Sequence, residues 1–214
     1  MITQSIHIRE QQFVLHPSGT IFWVDRSMLL ISDVHLGKVS HFRKFGAAVP
    51  PSVARENFRL LDQVVASFHP EMICFLGDLF HSSINLEFKW FEKWVSSLSA
   101  KCILITGNHD IISSLRYEDL GMEVHPEMQV GEFILTHHPI SREGLFNFSG
   151  HIHPAVRLNG LGRQQLRVPC FFKSHDQVIL PAFGKFTGTF VMDPKLGDEV
   201  YAIAKNEVIL ITTS

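Results

Sequence analysis

The chain lacks paired cysteines. Its three, Cys74, Cys102 and Cys170, are far apart and odd in number. They fit neither a disulfide framework nor a CxxC zinc pair. Each lies in an apolar run (MICFL, KCILI, VPCFF), which reads as a buried thiol in a reducing cytoplasm. No apolar run reaches the roughly 18 residues that a membrane span needs. The stretch MITQSIHIRE has neither the basic nor the apolar region of a signal peptide. A cytoplasmic protein with no membrane partner is the expectation. Charge of one sign is also missing: the formal net charge is −2, so there is no broad basic footprint for nonspecific nucleic-acid binding. Internal repeats, low-complexity tracts and long linkers are absent, so a single domain over residues 1–214 is the expected organisation.

What the chain has is histidine, 13 of them. Seven stand at or just after apolar, strand-like runs: His35, His81, His109, His137, His138, His151 and His153. Those runs also set the fold. Residues 5–9, 12–16 and 20–24 read as short strands, with a turn at Pro17-Ser18-Gly19. MLLIS (28–32), MICFL (72–76) and ILIT (103–106) are continuous apolar runs that suit fully buried strands. Between them, Val53, Asn57, Phe58, Leu61, Val64, Val65 and Phe68 recur at helical spacing after Pro50-Pro51. Leu86 to Leu98 reads as a second amphipathic helix. The first half is therefore β-α-β-α-β, which implies a parallel sheet with covered faces. The second half is β-rich. VHPEMQV and EFILTHH read as strands around Gly131, LRVPCFF and QVILPAF as a hairpin around Ser174-His175-Asp176, and EVYAIAK and EVILITT as a terminal hairpin. The predicted fold class is α/β (α+β): two mostly β layers flanked by helices.

Each buried strand ends in polar residues: Asp33 and His35, then Gly77-Asp78, then Gly107-Asn108-His109-Asp110, then His137-His138, then Gly150-His151-Ile152-His153. In open α/β sheets, ligands bind outside the carboxyl ends of the strands. Carboxylate, imidazole and amide donors without thiolate suit Mn²⁺, Fe or Zn²⁺. They are too many for one ion and suit two ions sharing a carboxylate, the arrangement that clamps an in-line displacement at phosphorus.

The ordered set Asp33-x-His35, Gly77-Asp78, Gly107-Asn108-His109-Asp110, His137 and Gly150-His151-x-His153 resembles the motif series of the calcineurin-like metallophosphoesterases. SDVHLGKVSHFRKFGAAVP (32–50), GDLFH (77–81) and LPAFGKFTG (180–188) resemble its DNA-ligase-associated branch. The resemblance implies a four-layer α/β/β/α sandwich. It also implies a DNA-repair-associated phosphodiesterase or nuclease with two divalent ions, most readily Mn²⁺. The substrate would be a phosphodiester such as DNA or RNA, in functional association with a DNA ligase and a helicase. Asp33, His35 and His153 would hold the first ion, Asp78 would bridge, and Asn108, His137 and His151 would hold the second. His137 and His138 compete for one role, since neighbours on a regular strand face opposite ways. The family pattern favours His137. Metal-bound hydroxide would attack phosphorus in line while His109 protonates the leaving oxygen, with Asp110 orienting its ring. Departures from the wider family leave alternatives open. His81 stands where many relatives have an acid and reads as site support, a substrate contact or a surface-loop histidine. His41 and Arg43 read either as substrate-phosphate contacts or as part of a solvated basic loop. A phosphomonoesterase on the same site, or a weak scaffold for a ligase or helicase system, is the alternative function.

Overall fold

Continuous apolar runs become strands buried on both faces. In the computed structural model, which describes residues 1–38, 52–160, 165–184 and 187–211, β4 (Met28–Ile31), β5 (Met72–Leu76) and β6 (Lys101–Ile105) are parallel neighbours. Their side chains alternate. Leu29, Ile31, Ile73, Phe75 and Leu104 pack towards helices, while Met28, Leu30, Cys74, Leu76 and Ile103 pack the other way, towards a second sheet. A fully buried side chain such as Phe75 contributes roughly 1.5–3 kcal/mol to folding.

The helices follow from period and caps. Helix α1 (Ser52–Phe68) buries Leu61 and Val64, and α2 (Leu86–Ser96) buries Phe88, Phe91, Trp94 and Val95. Asn85 caps α2, accepting from the N–H of Glu87 at 2.8 Å and of Phe88 at 3.4 Å. The short α3 (Ser114–Glu118) adds Tyr117 to the same core.

The first sheet is completed by an antiparallel meander, β1 (Gln4–Ile8), β2 (Gln11–Leu15) and β3 (Ile21–Trp23), and by β7 (Glu123–His125) at the far edge. The second sheet runs in the order β14 (Phe190–Val191), β11 (Pro154–Asn159), β12 (Gln165–Lys173), β13 (Gln177–Ile179), β10 (Phe146–Ser149), β9 (Phe133–Leu135), β8 (Met128–Val130). A terminal hairpin, β15 (Glu199–Ala204) and β16 (Glu207–Ile211), joins it through β12. Between the sheets lies an aromatic-rich core that includes Phe13, Trp23, Phe133, Phe148, Phe171 and Tyr201.

The predicted pair of β layers is present. Among the described residues, the α-helices pack on the outer face of the first sheet. The outer side of the second sheet carries a smaller cluster of Val156, Val168, Cys170, Phe172, Ile179, Val200 and Ala202. All three cysteines are free and buried, and burial pushes the thiols of Cys102 and Cys170 up to about 12. No described helix is long and apolar enough to cross a membrane.

Candidate metal centre

The carboxyl ends of β4, β5, β6, β9 and β10 meet at one rim, and the polar residues that follow them converge there. Asp33, His35 and Asp78 are almost wholly buried, at 0%, 5% and 2% exposure. A first cluster joins Asp33, His35 and His153. Nε2 of His153 lies 3.2 Å from Asp33 Oδ1 and 3.4 Å from Nε2 of His35. A second joins Asn108, His137 and His151. Nε2 of His137 lies 2.9 Å from Asn108 Oδ1 and 3.2 Å from His151 Nδ1. Asp78 stands between them, with Oδ2 4.0 Å from His35 Nε2 and Oδ1 3.5 Å from His137 Nε2.

The backbone is bent to achieve this. Asp33, His35, Asp78, His151 and His153 all have positive φ, between 50° and 66°. Only a few per cent of non-glycine residues adopt that region, and strain of this kind gathers at functional sites. Neighbouring glycines leave the space. Gly77 has φ +83°, and a Cβ there would overlap the His137 ring; a Cβ on Gly150 would overlap Ser32 Oγ and Asp33 Oδ2.

The donor set fits cations. The His137 ring faces the Leu76 carbonyl through Nδ1 at 3.0 Å, and the His153 ring faces the Gly188 carbonyl through Nδ1 at 3.0 Å. A carbonyl only accepts, so Nδ1 carries a proton in each ring, and Nε2 is the atom that faces the centre. Asp33 Oδ1, fully buried, accepts no hydrogen bond of good geometry. Burial works to raise the Asp33 carboxyl, but the neighbouring His153 ring and the Ser32 hydroxyl hold it below the usual carboxylate range. Burial pushes His35 down to about 3, which keeps that ring neutral. An ionised carboxylate and neutral imidazoles are the forms that bind a divalent ion.

The structure brings His137 and His138 together as well. The alternation argument assumed a regular strand, but β9 ends at Leu135. His138 is exposed, and its ring centroid lies 4.0 Å from that of His151. His137 is buried and also faces Asp33 and Asp78. His109 is exposed at the rim; its backbone N–H donates to Asp78 Oδ1 at 2.9 Å. His81 packs its ring 4.3 Å from that of His109 and 5.3 Å from that of His35.

Asp110 accepts at its carboxylate from the backbone N–H of Phe80 at 3.0 Å and of Gly107 at 2.8 Å. It therefore ties the loop after β5 to the loop after β6. Burial pushes it up to about 6. His41 and Arg43 lie outside the described residues. Sequence reasoning missed Ser32, which is fully buried and donates to Asp33 Oδ2. It also missed how the segment at Phe183 and Gly184 donates backbone N–H groups to the carbonyls of Ser32 (2.9 Å) and Asp33 (3.3 Å).

Comparison with known proteins identifies the family. The model of the calcineurin-like phosphoesterase family matches residues 27–169. No curated protein sequence matches. Among solved structures, the crystal structure of the Pseudomonas putida nuclease MPE is 27% identical, with a TM-score of 0.80, over 98% of this chain and 100% of that one. Yfce, a phosphoesterase from E. coli, is 15% identical, with a TM-score of 0.46, over 86% of this chain and 97% of that one. The chain belongs to the calcineurin-like phosphoesterase family and is a metal-dependent phosphoesterase.

Proposed function

We propose that the protein is a phosphodiesterase that uses two divalent ions, Mn²⁺ first among them, and that its substrate is nucleic acid. The observation that carries this reading is Asp78, whose two carboxylate oxygens face two separate donor clusters. Asp33, His35 and His153 would hold one ion, Asn108, His137 and His151 would hold the other, and Asp78 would serve both. Such ions would supply Lewis acidity at the phosphoryl oxygens and lower the pKa of bound water.

His109 gives a proton to the leaving oxygen. Its backbone N–H on Asp78 Oδ1 ties the position of the exposed ring to the bridge. The His81 ring packed on it limits its swing, which favours a supporting role for His81. Asp110 acts through backbone, holding the two loops that carry Asp78 and His109. The likeness to a nuclease over nearly the full length of both chains supports a nucleic-acid substrate. The resemblance to the ligase-associated branch extends the reading to DNA repair beside a ligase and a helicase.

The test is hydrolysis of bis-p-nitrophenyl phosphate and of p-nitrophenyl phosphate by metal-stripped protein refilled with Mn²⁺, with His109→Ala in parallel. Diester turnover should require Mn²⁺, and the variant should keep its metal while losing roughly 10²–10⁴-fold in rate. Turnover of the monoester alone would make the protein a phosphatase. Metal bound with neither ester cleaved would favour the scaffold reading.

A further inference from the structure

His137 sits in a loop with few ladder contacts of its own. The chain leaves β9 at Leu135, passes Thr136, His137, His138, Pro139 and Ile140, and returns as β10 in parallel pairing with β9. One side chain spans that loop. Asn147, on β10 and 1% exposed, donates from Nδ2 to the Ile134 carbonyl at 3.0 Å and to Thr136 Oγ1 at 2.8 Å. Its Oδ1 accepts from the Ile140 N–H at 3.2 Å. Thr136, itself buried, passes the contact on by donating from Oγ1 to the His138 carbonyl at 2.6 Å.

The clamp therefore grips the chain on both sides of His137 and touches no donor atom of the centre. A buried amide is costly to desolvate unless its bonds are made, and an apolar residue would fill the same buried space without that demand. Here the bonds all go to residues 134–140 apart from a long 3.4 Å contact with the Phe148 carbonyl. The ring itself is oriented from elsewhere, by the Leu76 carbonyl.

We infer that Asn147, relayed by Thr136, is a positioning residue that sets the ion affinity of the Asn108–His137–His151 cluster and leaves the Asp33–His35–His153 cluster untouched. This rests on the two-ion reading. Outer partners of ligands commonly change metal affinity by 10–100-fold.

The test is calorimetric titration of Mn²⁺ into the metal-stripped full chain, for wild type, Asn147→Asp and Thr136→Val. Asn147→Asp is nearly isosteric and removes both donors. Thr136→Val removes the relay and its bond from Asn147, and leaves the Asn147 bonds to Ile134 and Ile140 in place. Wild type should bind two ions. Asn147→Asp should hold the first within about twofold and lose at least tenfold on the second, and Thr136→Val should lose less. The ¹⁵N shifts of the His137 ring in the metal-free protein should show a mixed tautomer only in the variants. Both affinities unchanged, or both falling together with the unfolding midpoint, would overturn the inference. If Asn147→Asp does not fold, Thr136→Val decides alone: a weakened second site supports the clamp and an unchanged one ends it. A wild type that binds one ion or none would instead sink the two-ion reading.

Discussion

The two donor clusters share Asp78 and otherwise differ in charge and cover. The Asp33–His35–His153 cluster holds a carboxylate that is fully buried and kept ionised, beside a ring kept neutral by burial. The Asn108–His137–His151 cluster adds no carboxylate of its own to the shared bridge, and Asn108 is exposed. Affinity for a divalent ion rises with the negative charge and rigidity of its ligands. The first cluster is thus expected to bind tightly and early, and the second to bind weakly and exchange.

The largest effect comes from abolishing what the clusters share. Asp78→Ala should reduce Mn²⁺ stoichiometry and diester turnover to background together, because both clusters lose a ligand. A variant that kept one tight ion with full turnover would show that Asp78 is no bridge. A smaller effect should separate the clusters. Gly150→Ala drives a Cβ into Ser32 and Asp33, whereas Gly77→Ala drives one into His137 and forces alanine to positive φ. Overpacking costs about 1–3 kcal/mol, so each should weaken one Mn²⁺ site by tenfold or more. Gly150→Ala should act on the tight site and Gly77→Ala on the weak one. Equal losses from both variants at both sites would mean that the clusters respond as one.

The smallest effect concerns a histidine outside either cluster. His16 follows β2, is buried, and shares Nδ1 with Ser18 Oγ at 2.8 Å. Burial pushes it down to about 4. A depressed folded-state value means that its stabilising contribution is complete above its ordinary 6.5 and is lost as pH falls from there towards 4. The unfolding midpoint of metal-free wild type should drop over that window relative to His16→Asn. Parallel melting curves would show that His16 titrates alike in both states.

His16 also marks the limit of reading the site from sequence. It follows a strand just as His35 does, yet among the described residues it faces no carboxylate. Position after a strand did not distinguish the two; the ordered Asp and Asn partners did. The parallel strands were legible because burial on both faces leaves continuous apolar runs, and β4 to β6 begin and end within two residues of the runs that predicted them. Strand β11 was not, because it opens on Pro154, which reads as a break although a proline is tolerated at a strand's first residue. Helix α2 stops at Ser96 instead of Leu98 because its last turn closes through Ser97 and Leu98 N–H bonds to Trp94 and Val95 carbonyls. The left-handed backbone at five candidate ligands leaves no mark in the residue types, since Asp and His occupy loops for many reasons. The two backbone N–H groups that donate to the Asp110 carboxylate were not legible either, because the fold brings them near from separate loops.

The most direct test is anomalous scattering from crystals of the metal-stripped protein soaked in Mn²⁺, first at one equivalent and then at saturation. One peak should fill first, among Asp33, His35, His153 and Asp78. A second should follow among Asp78, Asn108, His137 and His151. A single peak at saturation, or peaks away from Asp78, would contradict the two-ion centre.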